Sequence, residues 1–292
     1  MKIMRKFFIC LLFLFFSLTI GKAQVTSGGV NANSQSDTLK KTVLDNSQYR
    51  VYYSTEFIND TLSINNKTTC TTVLLIGSKN SCFIDYGLLR QDSVFDSLTK
   101  RGASTPEIIS NTIAIARTAK FKNIVLRNYP SINKNTIQTS VGSTKYNYID
   151  EKIDIKWKLG NEEKEIEGFK CKNAFCNFRG RDYVAWYSPE ISVSEGPYLF
   201  TGLPGLIMEI YDTKEYYRFF IAGLERISHY DPIYILTDKV ANLSREQVRK
   251  LVANSYADPS SLLKNLSGSM QNISEESIAK SSARPYNPIE IE

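Results

Sequence analysis

"TGLPGLIMEIYD", residues 201–212, places a tight-turn dipeptide among strongly apolar neighbours. Proline fixes φ near −65° and glycine tolerates a positive φ, so Pro204-Gly205 predicts a turn of type II. Turns usually lie at the surface and are polar, yet Leu203 precedes this one and Leu206 follows it. We therefore expect a turn that joins two neighbouring strands and is folded inward, where each buried leucine contributes roughly 1.5–3 kcal/mol.

Conformation and burial account for every residue of this bend, so we interpret it as a structural motif rather than a ligand site. The motif comprises Gly202, Leu203, Pro204, Gly205, Leu206 and Ile207.

Alternating aromatic and β-branched residues predict strands along much of the remaining chain. Residues 49–57 fit one strand, residues 70–87 fit a hairpin turning at 77–80, and the isoleucine alternation of 149–159 fits another strand. Residues 106–119 fit either a helix or a strand pair. Such a succession predicts a mainly β protein with a curved, half-barrel-like antiparallel sheet.

A few helices are expected, chiefly near the C-terminus. Ser244 and Gln247 have the spacing of a capping box, which predicts a helix ending at Pro259. Residues 274–282 form a weaker helix candidate.

The first residues predict export. Lys2, Arg5 and Lys6 precede an uncharged apolar run of 14 residues, and Gly21-Lys22-Ala23 resembles a cleavage site. The run is shorter than the roughly 20 residues that span a bilayer, so residues 1–23 indicate a signal peptide rather than an anchor. We expect 24–47 to be a flexible leader and 48–292 a single β-rich domain. Localisation would be the periplasm, the outer membrane surface or the extracellular space.

The balance of charge argues against nucleic acid as a partner. The chain holds 36 Lys and Arg against 30 Asp and Glu, and four of the basic residues lie within 1–23. The mature chain would therefore hold 32 against 30, which removes the basic excess that nucleic-acid binding requires. No second apolar run reaches membrane-spanning length.

Four cysteines remain after the signal peptide: Cys70, Cys82, Cys171 and Cys176. An even number in an exported chain is consistent with disulfides, with three possible connectivities, or with buried thiols. The C-x-x-C spacing of a zinc site is absent and the chain has one histidine, His229. We therefore expect neither a metal nor a cofactor, and no histidine-dependent catalytic set.

The polar candidate site is "RGRD", which contains Arg179, Arg181 and Asp182. If the segment is a strand, both arginines lie on one face and could bind a carboxylate or phosphate. The alternative, which we prefer, is that they pair with Glu190, Glu195 or Asp182 and fix the following loop.

The segment "FRGRDYVAWYSPEISVSEGPYLFTGLPGLIMEIYD", residues 178–212, resembles the central signature of the GLPGLI family. "GSKNSCFIDY" at 77–86, "GFKCKNAF" at 168–175 and "NPIE" at 287–290 are similar to further elements of that family. The resemblance implies an exported protein of Bacteroidota without an established activity. Some members are encoded near outer-membrane transporters, which implies an envelope partner of that kind. The family supplies no catalytic residues.

These observations favour a non-catalytic envelope protein that binds a partner protein, a peptide or an apolar ligand. The alternative is a hydrolase that uses carboxylates without histidine, and Asp182, Glu190 and Glu209 are its candidates. A third hypothesis, metal handling through the cysteines and His229, has less support.

Overall fold

The structure is a computed structural model, and it describes residues 37–142, 144–260, 283 and 285–292. The predicted signal peptide, the start of the predicted leader and the helix candidate at 274–282 lie outside the described residues. In the described part of the chain, no helix is both long and apolar enough to cross a bilayer.

Most of the secondary structure is β. The strands are β1 Lys41–Asn46, β2 Tyr49–Phe57, β3 Thr68–Ile76, β4 Ser81–Asp85, β5 Ile124–Arg127, β6 Lys134–Val141, β7 Thr144–Glu151, β8 Lys158–Ile166, β9 Phe169–Phe178, β10 Arg181–Ser188, β11 Leu206–Asp212, β12 Tyr217–Arg226, β13 Pro232–Leu236 and β14 Val240–Asn242. The helices are α1 Tyr86–Lys100, α2 Thr105–Thr118 and α3 Arg245–Ala257. The prediction of a mainly β protein is confirmed.

One large sheet of 12 strands organises the molecule, in the order β14-β7-β6-β5-β4-β3-β2-β12-β11-β10-β9-β8. Its neighbouring strands are antiparallel except for β14 and β7, which are parallel. The strands at the two ends of this order do not pair, so the sheet is not closed into a barrel. A separate two-stranded sheet is formed by β1 and β13.

The central strands are buried on both faces. On one face, Tyr53, Leu74 and Phe83 pack with Tyr198 and Phe200 of the connection between β10 and β11. We call residues 189–205 the β10–β11 connection, and we call this side of the sheet the connection face. The connection and residues from α3 and the C-terminal segment cover it.

The opposite face carries a second, smaller core. Val73, Leu75 and Cys82 of the sheet pack there against Ile233 and Ile235 of β13, with Leu88 and Leu89 of α1 partly buried beside them. Because both faces are covered, the sequences of the central strands are continuous apolar runs and do not alternate between apolar and polar residues.

The prediction that residues 24–47 form a flexible leader is wrong in part. Residues 41–46 form β1, whose Thr42 lies opposite Ile235 of β13. Leu44 contributes apolar surface to the second core, and Lys41 forms an ion pair with Asp96 of α1 at 2.5 Å. The sequence did not indicate this strand, because its composition is polar and only one of its side chains reaches the core.

The expectation of a few helices is confirmed. Two of the helices in the described residues, α1 and α2, follow β4, and only α3 lies near the C-terminus. The undecided stretch 106–119 is helical, with Pro106 in its first turn. The capping box of Ser244 and Gln247 is confirmed.

The single strand predicted at 149–159 is instead parts of β7 and β8, separated by residues 152–157. Its expected apolar face is also reversed, because Ile149 is 54% exposed whereas Tyr148 is 6% exposed. Tyr148 and Asp150 therefore point to the connection face.

Candidate functional site

The bend at 203–205 is buried as expected, but its geometry differs from the prediction. It is the last bend of the β10–β11 connection rather than a turn of type II between two strands. The φ of Gly205 is 150°, and its N–H donates to the Leu203 carbonyl at 2.8 Å. Leu203, Leu206 and Ile207 are at most 1% exposed.

Glycine is required at position 205 because the backbone there lies against the backbone of Ser188. A Cβ on Gly205 would lie 2.1 Å from the Ser188 carbonyl oxygen, at the end of the preceding strand. The amides of Leu206 and Ile207 donate back to Ile191 and Glu195 of the connection. The connection is thus a closed, internally bonded segment that lies on the sheet.

A row of polar side chains crosses the sheet beneath the connection. Ser81 of β4 lies opposite Arg127 of β5, Arg127 lies opposite Asn135 of β6, and Asn135 lies opposite Asp150 of β7. Since directly opposite residues share a face of the sheet, all four side chains point to the connection face. We call these four residues the polar row.

Arg127 attaches the row to the connection. Its guanidinium donates to the Glu195 carboxylate, to the Gly196 carbonyl at 2.6 Å and to the Tyr198 carbonyl. The residue is 5% exposed, and its Nε has no hydrogen-bond partner among the described residues. Tyr198 has a φ of 51°, which is strained for an aromatic residue. Three donors from one arginine hold the connection in this shape.

A cavity of about 250 Å³ lies between the row and the connection. Its sheet side is formed by Arg127, Asn128, Asn135, Lys152 and Ile153, and its connection side by Ser194, Glu195, Leu199, Thr201 and Gly202. We call it the row cavity. A larger and more open cavity, about 670 Å³, lies elsewhere and is lined by Phe121, Tyr217 and Tyr286 among others.

Asn135 is the unusual residue of the row cavity. It is 5% exposed, and its side-chain amide forms no hydrogen bond with any residue that the structure describes. Its amide atoms are not among the solvent-inaccessible atoms without a partner in the described residues, so they border the space of the cavity. The Asn135 amide is therefore available to a molecule that enters the row cavity.

Glu290 organises a second polar cluster at the far end of the row. Its carboxylate accepts from the Tyr198 hydroxyl at 2.5 Å, from Arg179 at 3.2 Å and from Arg245 at 2.5 Å. Arg179 also forms an ion pair with Asp150 of the row. Burial raises the pKa of Asp150, and the charge of Arg179 opposes that shift.

The "RGRD" candidate site is not a pair of arginines on one strand face. Arg179 and Gly180 have positive φ values and form the turn between β9 and β10, so only Arg181 lies in a strand. Arg181 donates to Asp212 at 3.0 Å and to the Asn287 side chain at 2.5 Å.

Both arginines therefore fix the C-terminal segment. We expected these arginines to pair with Glu190, Glu195 or Asp182, and that prediction is wrong. The strand register brings acids that are more distant in the sequence closer to them. Asp182 is exposed and accepts from Asn177 at 2.9 Å.

The carboxylates of the hydrolase alternative are not brought together. Glu190 accepts from the backbone N–H of Lys170 at 2.9 Å. Glu209 is buried between Lys164 at 2.5 Å and Arg218 at 2.6 Å. Asp182 lies at the end of the β9–β10 hairpin, so no two of these three carboxylates face each other across a cleft. The hydrolase alternative therefore lacks the pair of carboxylates that it requires.

The four cysteines are free thiols in the structure, and all but the half-buried Cys70 are buried. Cys70 and Cys82 lie on neighbouring strands but out of register, because Cys82 is opposite Leu75. Cys171 and Cys176 lie five residues apart in the one strand β9. Geometry therefore excludes a disulfide within either of these two pairs. All four cysteines are thiols in the structure, which is the other possibility that the sequence left open.

The remaining metal candidates do not converge. His229 is exposed, and among the described residues no three histidine, cysteine or acidic side chains form a group that could hold a metal ion.

Sequence reasoning missed Arg127, Asn135, Asp150 and Glu290. One local signal existed for Arg127, since a charged residue ends the apolar run "IVLR" of β5. No local signal marked Asn135, because its role follows from strand register.

Comparison with known proteins gives a short family match. Residues 178–209 match a family described as "Protein of unknown function (Porph_ging)". The matched stretch begins at Phe178 in the β9–β10 hairpin, contains the whole β10–β11 connection and ends at Glu209. It is a small part of the chain, and it includes the connection side of the row cavity.

Two solved structures of PNGF-II, in the P21 and C2 space groups, resemble the chain weakly. They are 14% and 12% identical to it, with TM-scores of 0.47 and 0.46 over 72% and 71% of the chain. The chain spans about a third of the length of those proteins, 34% and 33%. A search of curated proteins finds no significant match.

Proposed function

We propose that this chain is an exported, non-catalytic binding protein of the cell envelope, and that the row cavity is its ligand site. The observation that carries the proposal is the Asn135 amide, which faces the row cavity from a residue that is 5% exposed and forms no hydrogen bond with any described residue. Polar groups that converge on a preformed cavity are typical of ligand sites.

The position of the cavity supports the same proposal. Its connection side lies within the stretch that matches a family of unknown function. Arg127 and the strained Tyr198 hold that wall in one shape, and strain of this kind is often found where a binding site is held ready. We place the chain in the GLPGLI family on the resemblance of residues 178–212.

For location and partner, we propose the periplasm or the outer-membrane surface, with release from the cell as a third destination. The support is the signal-like segment 1–23. The partner that we propose is an outer-membrane transporter or another envelope protein.

The ligand proposal is tested with the chain lacking residues 1–23. A ligand-observed NMR screen would cover amino acids, short peptides, organic acids and sugars. We expect at least one class to bind, and Asn135→Leu to remove the binding because leucine has a similar size but no amide. Asn177→Leu, in the exposed β9–β10 hairpin, is the control. Absence of binding, or binding that survives Asn135→Leu, would refute the proposal.

The location is tested separately by fractionation of cells that express the tagged full chain. A processed chain starting near residue 24 in the envelope fractions is expected. An unprocessed chain in the cytoplasm would be incompatible with an envelope role.

A further inference from the structure

Three side chains of the row cavity could donate hydrogen bonds to a bound molecule: Asn135, Thr201 and Lys152. The Asn135 amide and the buried Thr201 hydroxyl form no side-chain hydrogen bonds with the described residues. Lys152 is exposed at the rim and forms no ion pair within the described part of the chain.

One oxygen of the acid in the cavity wall, Oε2 of Glu195, is bound to Arg127. Glu195 accepts from Arg127, which is also bound to two carbonyls of the connection. The wall therefore has two cations and one acid, and the charge left without a partner is the ammonium of Lys152.

We propose that the row cavity binds a free carboxylate group, an inference that rests on the proposed function of the cavity. The Lys152 ammonium supplies the opposite charge, and the Asn135 amide and Thr201 hydroxyl donate to the carboxylate oxygens. An unpaired cation beside side chains that can donate hydrogen bonds is complementary to an anionic oxygen ligand.

The composition of the wall favours a carboxylate over a phosphate. Phosphate carries more charge, and sites that bind it usually supply arginine in a bidentate arrangement. The guanidinium of Arg127 is already used by Glu195 and by the connection, and the Glu195 carboxylate would repel a dianion more strongly than a monoanion. A single lysine matches a single negative charge.

The apolar part of the wall describes the rest of the ligand. Leu199 and Ile153 line the cavity beside these polar groups. They would contact a short aliphatic group next to the carboxylate. A volume of about 250 Å³ is enough for one such unit. The ligand is therefore either the C-terminal residue of a peptide or a small branched organic acid.

The test is a calorimetric titration of the chain lacking residues 1–23. The probes are N-acetyl-alanyl-leucine, its C-terminal amide, 4-methylpentanoate and inorganic phosphate. We expect both free carboxylates to bind and the amide to bind at least tenfold more weakly. Tighter binding of the peptide would identify a peptide terminus as the source, and tighter binding of 4-methylpentanoate would identify a small acid.

Variants connect the binding to the cavity. Lys152→Met is expected to weaken both carboxylates about tenfold, and Asn135→Asp to abolish binding by charge repulsion. Lys156→Met is the matched control, because Lys156 is an exposed lysine paired with Asp154 outside the cavity. Lys152 is also exposed, so its variant is expected to fold. A melting curve for Asn135→Asp confirms that its loss of binding is not unfolding.

Failure of this inference can be told apart from failure of the proposed function. If the amide binds as well as the acid, or phosphate binds more tightly, the carboxylate inference is wrong. If a ligand of another class then binds in an Asn135-dependent way, the proposed function stands. If no ligand of any class binds, both are wrong.

Discussion

The Tyr198 hydroxyl donates to the Glu290 carboxylate across 2.5 Å, although 92 residues separate the two in the chain. Tyr198 belongs to the β10–β11 connection and Glu290 to the C-terminal segment. Both are buried, and the same carboxylate neutralises Arg179 and Arg245. The C-terminal segment is thus part of the structure that holds the connection.

Glu290→Gln should destabilise the fold by roughly 2–3 kcal/mol, because two partly buried arginines lose one of the two carboxylates that they share and keep only Asp150 among the described residues. Chemical denaturation would measure the free energy of unfolding. Glu292→Gln is the control, since Glu292 is exposed and uses its backbone carbonyl to accept from Arg245. Equal stabilities for the two variants would show that the Glu290 cluster contributes little.

Gly205→Ala should be among the most damaging single changes in the chain. The new Cβ would lie 2.1 Å from the Ser188 carbonyl oxygen, at a φ of 150° that residues with a Cβ rarely adopt. Steric overlap and backbone strain together predict a loss of roughly 3–5 kcal/mol.

Gly223→Ala provides the comparison for that variant. Gly223 also lies in the large sheet, but a Cβ there would find its nearest atom at an ordinary 3.7 Å, in the Tyr52 ring. We expect a change within about 1 kcal/mol. A tolerated Gly205→Ala would mean that the connection can move away from Ser188.

The thiols should be unreactive in the folded protein. Burial raises the pKa of Cys70, Cys82 and Cys176 to about 12 and that of Cys171 to about 11. The thiolate is the reactive form, so at pH 8 alkylation should be slow. In the chain lacking residues 1–23, which holds four of the five cysteines, all four should react after unfolding in denaturant without a reductant.

Intact-mass measurement of the alkylated protein gives the count, and Cys70 should react first because it is the half-buried member. Fewer than four labelled cysteines after unfolding without a reductant would reveal a disulfide and contradict this prediction.

The sequence was informative where structure depends on neighbours in the chain. Residues 49–57 form β2 as predicted, and Ser244 caps α3 as its spacing with Gln247 indicated. The burial of Leu203 and Leu206 also followed from the sequence, because the pattern is local.

The candidate site could not be predicted because it depends on register. Arg127, Asn135 and Asp150 meet only through the pairing of β5, β6 and β7, and a shift of one residue would turn each to the other face. The isoleucine alternation indicated the wrong face of β7, since Ile149 is exposed and Tyr148 is buried.

On the other side of the sheet, Asp92 of α1 should make stability depend on pH. Its carboxylate accepts from the Tyr234 hydroxyl at 2.9 Å. Burial raises the pKa of Asp92 from 3.8 to about 6, against opposing effects of Tyr234, Lys145 and Lys41, while Asp96 raises it further. Because the folded-state pKa is the higher one, protonation stabilises the fold. That contribution is complete below pH 3.8 and is lost as the pH rises through 6.

Asp92→Asn imitates the protonated carboxyl at every pH and can still accept from Tyr234. Its free energy of unfolding relative to the wild type should therefore be roughly 2–3 kcal/mol higher at pH 7.5 than at pH 4. Denaturation at the two pH values measures this difference, and Asp182→Asn, at an exposed aspartate, is the control variant. A gain of the same size at both pH values would assign the effect to packing, because only a carboxylate that ionises between them can make the gain depend on pH.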